Sequence, residues 1–228
     1  MKANKQKNPV SPLLSVDVVP FFVNKEGKVH IVLSKRPYEP YLGEYALPGV
    51  LVVAGETLQE AINRALKLKS GIKNNQIGHI MRTGVYDSPY RDSRGPTISI
   101  AYAVELKEIS EEELTSSYNK MISLPIEKNL NLPFDHMSII IEAIEMLSGQ
   151  LLEDNGKWLC AFLGDTFTTP QFVNLQKSIN PTFNTTNAHR MLSSQKFLMR
   201  TGETLFSPGR APRSWRRKNI EVNEQELL

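Results

Sequence analysis

The strongest constraint on the fold is a loop-helix-loop segment at residues 49–72, GVLVVAGETLQEAINRALKLKSGI. Apolar residues recur there with a period close to 3.6, which predicts an amphipathic helix over about residues 58–70. Thr57 and Glu60 stand at the spacing of a capping box, and Gly71 is of the residue type that commonly ends helices. The segment is therefore predicted to form a strand, a loop and a helix with a defined start and end.

Apolar, β-branched runs on either side of this segment predict strands. They lie at residues 13–23, 29–34, 77–86 and 97–106. A second amphipathic helix is predicted at residues 135–149, and the acidic stretch 107–120 is predicted to lie on the surface. The fold class predicted for residues 1–150 is therefore α+β, with a mixed sheet.

The pattern of the chain changes after this second helix. Three short helices and a basic β-hairpin are predicted, at residues 157–164, 170–179, 187–197 and 198–218. A Thr-Thr-Pro sequence at 168–170 suits a capped helix start with proline in the first turn. This order of elements is typical of a winged helix-turn-helix, which predicts a second domain at residues 151–220. The acidic tail 221–228 is predicted to be disordered.

Charge is divided unevenly between these parts. Residues 1–150 carry 17 Lys and Arg against 17 Asp and Glu, whereas residues 151–220 carry 10 against 4. A neutral part joined to a basic part favours a polyanionic partner for the basic part. The alternative is a basic surface that does no more than keep the protein soluble.

Cysteine content and hydropathy limit the possible sites and cellular location of the protein. Cys160 is the single cysteine, so an intrachain disulfide and a Cys-rich zinc site are excluded. No apolar run reaches the roughly 18 residues that a membrane span needs. The basic, polar N-terminus has no apolar stretch of the kind found in signal peptides, so a cytoplasmic location is expected.

Residues 49–72 resemble the Nudix box, a loop-helix-loop that grips the diphosphate of a nucleoside diphosphate through divalent metal. Five positions match the pattern: Glu56, Arg64, Leu66, Gly71 and Ile72. The first glycine of the pattern falls on Val50, and its three helix glutamates fall on Ala65, Leu68 and Lys69. A divalent ion on a diphosphate needs hard oxygen ligands on one helix face, and none of these three side chains supplies one.

The resemblance therefore predicts a Nudix scaffold without its metal site, no cofactor and no Nudix hydrolysis. Glu56 and Arg64 are expected to stabilise the loop rather than to catalyse. The simpler alternative, an ordinary loop and amphipathic helix, fits the match of spacings less well.

The flanking sequences resemble one branch of the superfamily, the Nudix-related transcriptional regulators (NrtR-like). The similar tracts are SVDVVPFFV, VLSKRPYEPYLGEYALPG, RTGVYDSPYRDSRGPTISIAYAVEL and LPFDHMSIIIEAIEML. The resemblance covers about residues 13–218. It implies an α/β/α Nudix sandwich followed by a winged helix-turn-helix, with ADP-ribose, a related NAD metabolite or a sugar as effector.

Candidate effector-binding residues are mainly cations in an otherwise neutral domain: Arg36, Glu56, Lys69, Arg91 and Arg94. Arginine suits paired phosphate oxygens, and Lys69 is a point charge that can face a phosphate. The alternatives are solvated side chains, an ion pair with Asp92, or, for Arg94 beside Gly95, a structural role in the turn. His136 is expected to be a packed structural residue.

Candidate DNA-binding residues lie at the start of the third short helix and in the hairpin. They are Asn184, Thr185, Thr186, Asn187, His189, Arg190, Arg210, Arg213, Arg216 and Arg217. Recognition helices place their N-terminal half in the major groove, where amides and arginine contact base edges. Residues 187–192 resemble the regulators' Asn-Phe-Arg-Arg-x-Leu stretch but have Ala188 and His189 at its second and third positions, so the family's base contacts cannot be assumed. Trp215 is expected to pack under the hairpin.

The sequence favours a DNA-binding transcription regulator, a repressor, acting as a homodimer on double-stranded DNA and controlled by a phosphate-bearing or sugar effector. One alternative is an active Nudix hydrolase of ADP-ribose or a dinucleotide. Another is a scaffold without enzymatic activity that binds protein partners.

Overall fold

The structure, a computed structural model, describes residues 11–24, 27–115, 119–126, 130–201 and 214–218. The strands are β1 (Leu13–Val23), β2 (Val29–Lys35), β3 (Tyr45–Ala46), β4 (Gly49–Leu51), β5 (Ile77–Tyr86), β6 (Thr97–Leu106), β7 (Asn119–Ser123), β8 (Thr166–Thr168), β9 (Leu198–Thr201) and β10 (Ser214–Arg217). The helices are α1 (Leu58–Ser70), α2 (Glu111–Leu114), α3 (His136–Gln150), α4 (Lys157–Leu163), α5 (Thr169–Ile179) and α6 (Ala188–Ser193). The predicted helices and strands of the first 150 residues are present within a residue or two of their predicted ends.

A mixed sheet forms the centre of the first 150 residues. Within the described ranges it has seven strands in the order β3-β2-β1-β6-β5, with β4 added to β1 and β7 added to β2. Strands β1 and β6 run parallel, from the pair Leu13 and Thr97 to the pair Phe21 and Glu105, whereas the other pairings are antiparallel.

A helix covers each face of the sheet. Side chains along β1 point alternately to the two faces, so both faces present apolar residues that a helix can bury. Val16 and Val18 pack in one hydrophobic cluster with α1, and Val19 and Phe21 pack in another with α3. All four are fully buried. Asp17 has the same parity as Val19, so its carboxylate lies on the face covered by α3.

Helix α1 has the ends that its sequence predicts. The Thr57 hydroxyl accepts from the backbone N–H of Glu60 at 3.3 Å, and the Glu60 carboxylate accepts from the backbone N–H of Thr57 at 2.8 Å. Gly71 follows the helix with φ of 72°, a left-handed conformation that favours glycine. The helix of the segment that resembles a Nudix box is thus fixed at both ends.

The C-terminal region has the order α4-β8-α5-α6-β9-β10, and β10 lies between β8 and β9 in a small antiparallel sheet. Thr168 caps α5, and Pro170 occupies its first turn. Trp215 on β10 is 2% exposed, and its indole N–H donates to the hydroxyl of Thr169 at 2.9 Å. Trp215 therefore packs beneath the hairpin, as predicted, and also ties β10 to the start of α5.

Three details differ from the sequence-based predictions. Helix α6 ends at Ser193 rather than near 197, because Phe197 and Leu198 turn inward and are each 5% exposed. Strand β8 had no clear sequence signal. The stretch 107–120 is not wholly surface, because Leu114 is 1% exposed and Asn119 begins a strand paired with β2.

One hydrophobic cluster crosses from the sheet into the C-terminal region. Phe21 and Ile140 belong to the same buried cluster as Trp158, Phe167 and Phe172. Helix α3 contacts both β5 and α5, so it links the sheet to the second half of the chain. Across the described ranges, no helix combines the length and the apolar character needed to span a membrane.

Candidate ligand cleft and nucleic-acid interface

A cleft of about 370 Å³ opens between the start of β1, the chain after β2, the second half of α1, the β5–β6 connection and the start of α3. Six cationic side chains line it: Lys35, Arg36, Arg64, Lys69, Arg91 and Arg94. Two carboxylates, those of Asp17 and Asp92, also line it. This excess of positive charge suits an anionic ligand.

Arg36 follows β2 and lies beside two aromatic rings. Its Nε donates to the carbonyl of Pro40 at 2.7 Å, and its Cζ lies 4.8 Å from the ring centre of Phe134 and 5.6 Å from that of Tyr38. Its Nη2 is buried and finds no hydrogen-bond acceptor among the residues that the structure describes. Burial and then the charge of Arg94 lower the pKa of Arg36. An unmatched buried donor is costly, and an anionic oxygen bound in the cleft would satisfy it.

Lys69 lies in the last turn of α1 and is half-buried. Its Nζ donates to the hydroxyl of Tyr38 and lies 4.6 Å from the centre of that ring. The hydrogen bond from Lys69 lowers the pKa of Tyr38. The structure thus places Lys69 in the cleft wall rather than on an open surface.

Arg94 is held by its neighbour in the β5–β6 connection. Its Nε and Nη2 donate to the carboxylate of Asp92 at 2.9 and 2.6 Å, and the backbone N–H of Arg94 donates to the same carboxylate at 3.0 Å. These hydrogen bonds lower the pKa of Asp92. The Arg94 side chain is still 49% exposed, so the pair fixes its direction and leaves much of the guanidinium accessible.

Arg91 joins three elements beneath the cleft. Its guanidinium donates to Asp135 at 2.9 and 2.8 Å and to Asp17 at 2.9 Å, and the hydroxyl of Ser99 also donates to Asp17 at 2.7 Å. The Arg91 side chain is only 5% exposed. Its guanidinium therefore serves mainly to connect β1 with the start of α3.

His136 is the second buried group of this network, at 3% exposure. Its Nδ1 accepts from the backbone N–H of Leu47 at 3.0 Å, and its Nε2 lies 3.8 Å from an oxygen of Asp17. Burial lowers the pKa of His136. The ring is therefore neutral at physiological pH, with its proton on the nitrogen facing Asp17, and it packs as the sequence predicts.

Glu56 and Arg64 fasten the loop before α1. Arg64 donates to the two Glu56 oxygens at 2.6 and 2.8 Å and to the carbonyl of Leu51 at 2.7 Å. The hydrogen bonds from Arg64 lower the pKa of Glu56 to about 2. Of the five candidate effector residues, the structure brings four together around the cleft, and Glu56 lies outside its lining.

The residues present do not fit a divalent metal ion. Of the three positions where the Nudix pattern has glutamate, Ala65 is fully buried, Leu68 is 65% exposed at the cleft edge, and Lys69 is a cation. The carboxylates nearby are already paired with arginine. The part of the chain that the structure describes contains no group of three His, Cys, Asp or Glu side chains able to hold a metal.

Sequence reasoning missed three side chains of this site. Asp17 carried a signal, because it is a charged residue inside an otherwise apolar strand. Tyr38 and Phe134 carried none, because they are 96 positions apart and reach the cleft only through the tertiary fold.

Six of the ten candidate DNA-contacting residues lie between Asn184 and Arg190, at a 3-10 turn, Thr185–Asn187, and at the start of α6. Exposed side chains belong to Asn184, Thr185, Thr186 and Arg190. Asn184 accepts from the backbone N–H of Thr186 at 3.0 Å, which fixes the start of the turn.

The remaining candidates are placed differently. His189 and Asn187 are half-buried, and the His189 ring lies 5.3 Å from the ring of Trp215 and shares a hydrogen bond with Arg200. On β10, Arg216 is exposed and Arg217 is half-buried. Arg210 and Arg213 lie outside the described residues.

Comparison with known proteins places this geometry in a family. No protein-family model matches the sequence. The chain is 34% identical over 143 residues to an ADP-ribose pyrophosphatase of Methanocaldococcus jannaschii. The matched residues make up 60% of this chain and 76% of that protein.

Solved structures share the fold. NrtR of Shewanella oneidensis, in complex with a 27mer DNA, has a TM-score of 0.69 at 22% identity and covers 90% of this chain and 93% of that chain. The Nudix domain of the same protein, in complex with ADP ribose, has a TM-score of 0.52 at 25% identity and covers 60% of this chain and 90% of that domain. The predicted α+β fold class, a Nudix sandwich followed by a winged helix-turn-helix, is confirmed. The chain belongs to the Nudix family and has the NrtR-like form of its fold.

Proposed function

We propose that this protein is a DNA-binding transcription regulator, a repressor, controlled by ADP-ribose or a related phosphate-bearing metabolite. The observation that carries the proposal is a cationic cleft without metal-binding carboxylates in a chain that also has a winged helix-turn-helix. The effector binds in the cleft without being hydrolysed, and the C-terminal region binds double-stranded DNA.

The chemistry of the cleft supports the effector. Arg36, Lys69 and Arg94 supply donors for phosphate oxygens, and the exposed side chains of Leu51 and Leu68 supply apolar surface for a ribose or base. The ADP-ribose complex of the similar Shewanella oneidensis domain supports the same class of ligand.

The electrostatics of α1 support the proposed absence of hydrolysis. An ammonium at Lys69 repels a divalent ion bound at the same turn, and Ala65 and Leu68 offer no ligand to offset this repulsion.

The winged helix supports DNA as the partner. Its turn and α6 present Asn184, Thr185, Thr186 and Arg190 to solvent, and β10 presents Arg216. Residues 151–220 carry six more basic than acidic residues, an excess that attracts a phosphate backbone. The DNA complex of the structurally similar NrtR agrees with this role.

Helix α3 offers a route between the two sites. Its first residue, His136, lies at the cleft, and the same helix contacts α5. In the proposed homodimer, effector binding at the start of α3 changes the spacing of the paired winged helices, so that they no longer match two DNA half-sites.

The test is fluorescence anisotropy with duplex sites selected from random DNA, measured over a series of salt concentrations with and without ADP-ribose. We expect specific binding that weakens as salt rises, and a shift in affinity when ADP-ribose is added. Binding that is absent, or equal for selected and scrambled duplexes, would overturn the DNA-binding half of the proposal.

The second candidate is a Nudix hydrolase, favoured by the 34% identity to an ADP-ribose pyrophosphatase. It predicts AMP release from ADP-ribose that depends on Mg²⁺. Turnover that is proportional to enzyme and abolished by EDTA would establish the hydrolase and refute the proposed inactivity.

A further inference from the structure

Three cations of the cleft surround two aromatic rings. The Tyr38 ring centre lies 4.6 Å from Lys69 Nζ and 5.6 Å from Arg36 Cζ. The Phe134 ring centre lies 4.8 Å from Arg36 Cζ and 5.9 Å from Arg94 Cζ. The rings hold the cations close together, an arrangement that repulsion disfavours unless an anion is bound.

Two of these cations lack a carboxylate partner among the described residues. Lys69 donates to the hydroxyl of Tyr38, and Arg36 donates to the carbonyl of Pro40. Both partners are neutral oxygens. Arg94, by contrast, is already paired with Asp92. The unneutralised charge therefore lies at Lys69 and at the buried, unpartnered Nη2 of Arg36.

We propose that Lys69, oriented by Tyr38, replaces the divalent ion of Nudix enzymes and, with Arg36, binds a diphosphate directly as the free anion. The inference deepens the proposed effector function and rests on it in taking a phosphate-bearing ligand. Binding at this site needs no metal, and Mg²⁺ weakens it.

The sign of the Mg²⁺ effect follows from Coulomb's law. A bound Mg²⁺ neutralises two charges of the diphosphate, and it also places a second cation near the Lys69 ammonium. Both effects reduce the attraction between the ligand and the cleft. A carboxylate-lined Nudix site has the opposite dependence, because there the metal joins two anions.

The experiment is isothermal titration of the full chain with inorganic pyrophosphate and with ADP-ribose, in EDTA and in millimolar Mg²⁺ at equal ionic strength. Lys69→Glu is compared with Lys67→Glu, which makes the same charge change at an exposed position of α1. We expect binding in EDTA, weaker binding in Mg²⁺, and an affinity loss of about 10-fold to 100-fold for Lys69→Glu alone. Circular dichroism confirms that both variants are folded.

The outcomes separate this inference from the proposed function. Pyrophosphate binding that requires Mg²⁺, or that falls equally in both variants, overturns the metal-free site even if ADP-ribose remains an effector. Pyrophosphate binding that is lost only in Lys69→Glu supports the site even if ADP-ribose fails to bind, in which case the proposed effector is wrong. Failure of both ligands under every condition overturns the inference and the effector together.

Discussion

The ligand cleft and the winged-helix surface both carry excess positive charge, but they hold it in different ways. In the cleft, Arg91 is 5% exposed between two carboxylates, and Arg94 is fixed by Asp92. On the winged helix, Arg190 and Arg216 are exposed. A concave, pre-arranged set of charges suits one small anion, whereas exposed side chains suit the repeating phosphates of a polyanion.

The comparison also separates cations that support the fold from cations that are available to ligands. Removing a buried, paired arginine deprives its carboxylates of their ion-pair partner. Removing an exposed arginine takes away a side chain that was already solvated and therefore costs little stability. The first change should therefore be seen in stability and the second in binding.

Substitution of an arginine in the buried network should change stability more than the substitutions that follow. Arg91→Ala removes the cation that is paired with both Asp17 and Asp135, and it should lower the free energy of unfolding by about 3–5 kcal/mol. Urea unfolding measures this change. Lys157→Ala, which removes the exposed ion pair with Asp154, is the control and should cost at most about 1 kcal/mol. Equal losses of unfolding free energy in the two variants would show that buried and exposed cations contribute equally to stability.

Substitutions on the exposed winged-helix surface should change DNA affinity rather than stability. Arg190→Ala should weaken binding to a selected DNA site by about 1–3 kcal/mol with little change in unfolding, because its side chain is exposed. Anisotropy titrations measure the affinity. The matched control is Lys107→Ala, an exposed cation just after β6 in the first half of the chain. The assignment of α6 to DNA fails if the Lys107 variant loses as much affinity as the Arg190 variant.

The buried network should also give stability a pH dependence. Burial lowers the pKa of folded His136 below its ordinary value of 6.5, so on acidification the unfolded chain takes up the proton first. This contribution to stability is full above about pH 6.5 and is lost as pH falls, by up to about 1.4 kcal/mol per pH unit. His136→Asn, which keeps an acceptor for Leu47, should flatten the dependence measured by urea unfolding between about pH 7 and pH 5. Parallel curves for the two proteins would count against a buried neutral histidine.

The smallest effects concern the helix starts, one in each region. Thr57→Ala and Thr168→Ala each remove the side-chain oxygen of a capping box, at α1 and α5 respectively. Each should lower the free energy of unfolding by about 1 kcal/mol, as measured by urea titration. Thr57→Ser and Thr168→Ser keep the oxygen and serve as controls. A much larger loss at Thr168, which is 6% exposed, would show that packing exceeds capping there.

Local features were predictable where neighbouring residues decide the structure. The start of α1 at Thr57 and its end at Gly71 depend on residues within one helical turn, and both were predicted. The end of α6 was predicted wrongly, because Phe197 turns inward and joins a buried cluster that includes residues far away in sequence, such as Trp158. Strand β8 escaped prediction for a related reason, since its three residues become a strand only by pairing with β10.

The fold class, the absence of glutamate at Ala65, Leu68 and Lys69, and the division of charge along the chain could all be taken from the amino-acid sequence. Periodicity, caps and residue identity are local properties, and they can be taken directly from the chain. The sequence did not show which cations are buried in ion pairs and which line the cleft without a carboxylate partner, as Arg91 and Lys69 do respectively; this became visible only in the folded structure. The reason is that burial and pairing depend on side chains brought together from distant positions, and these set the free-energy cost of a charge.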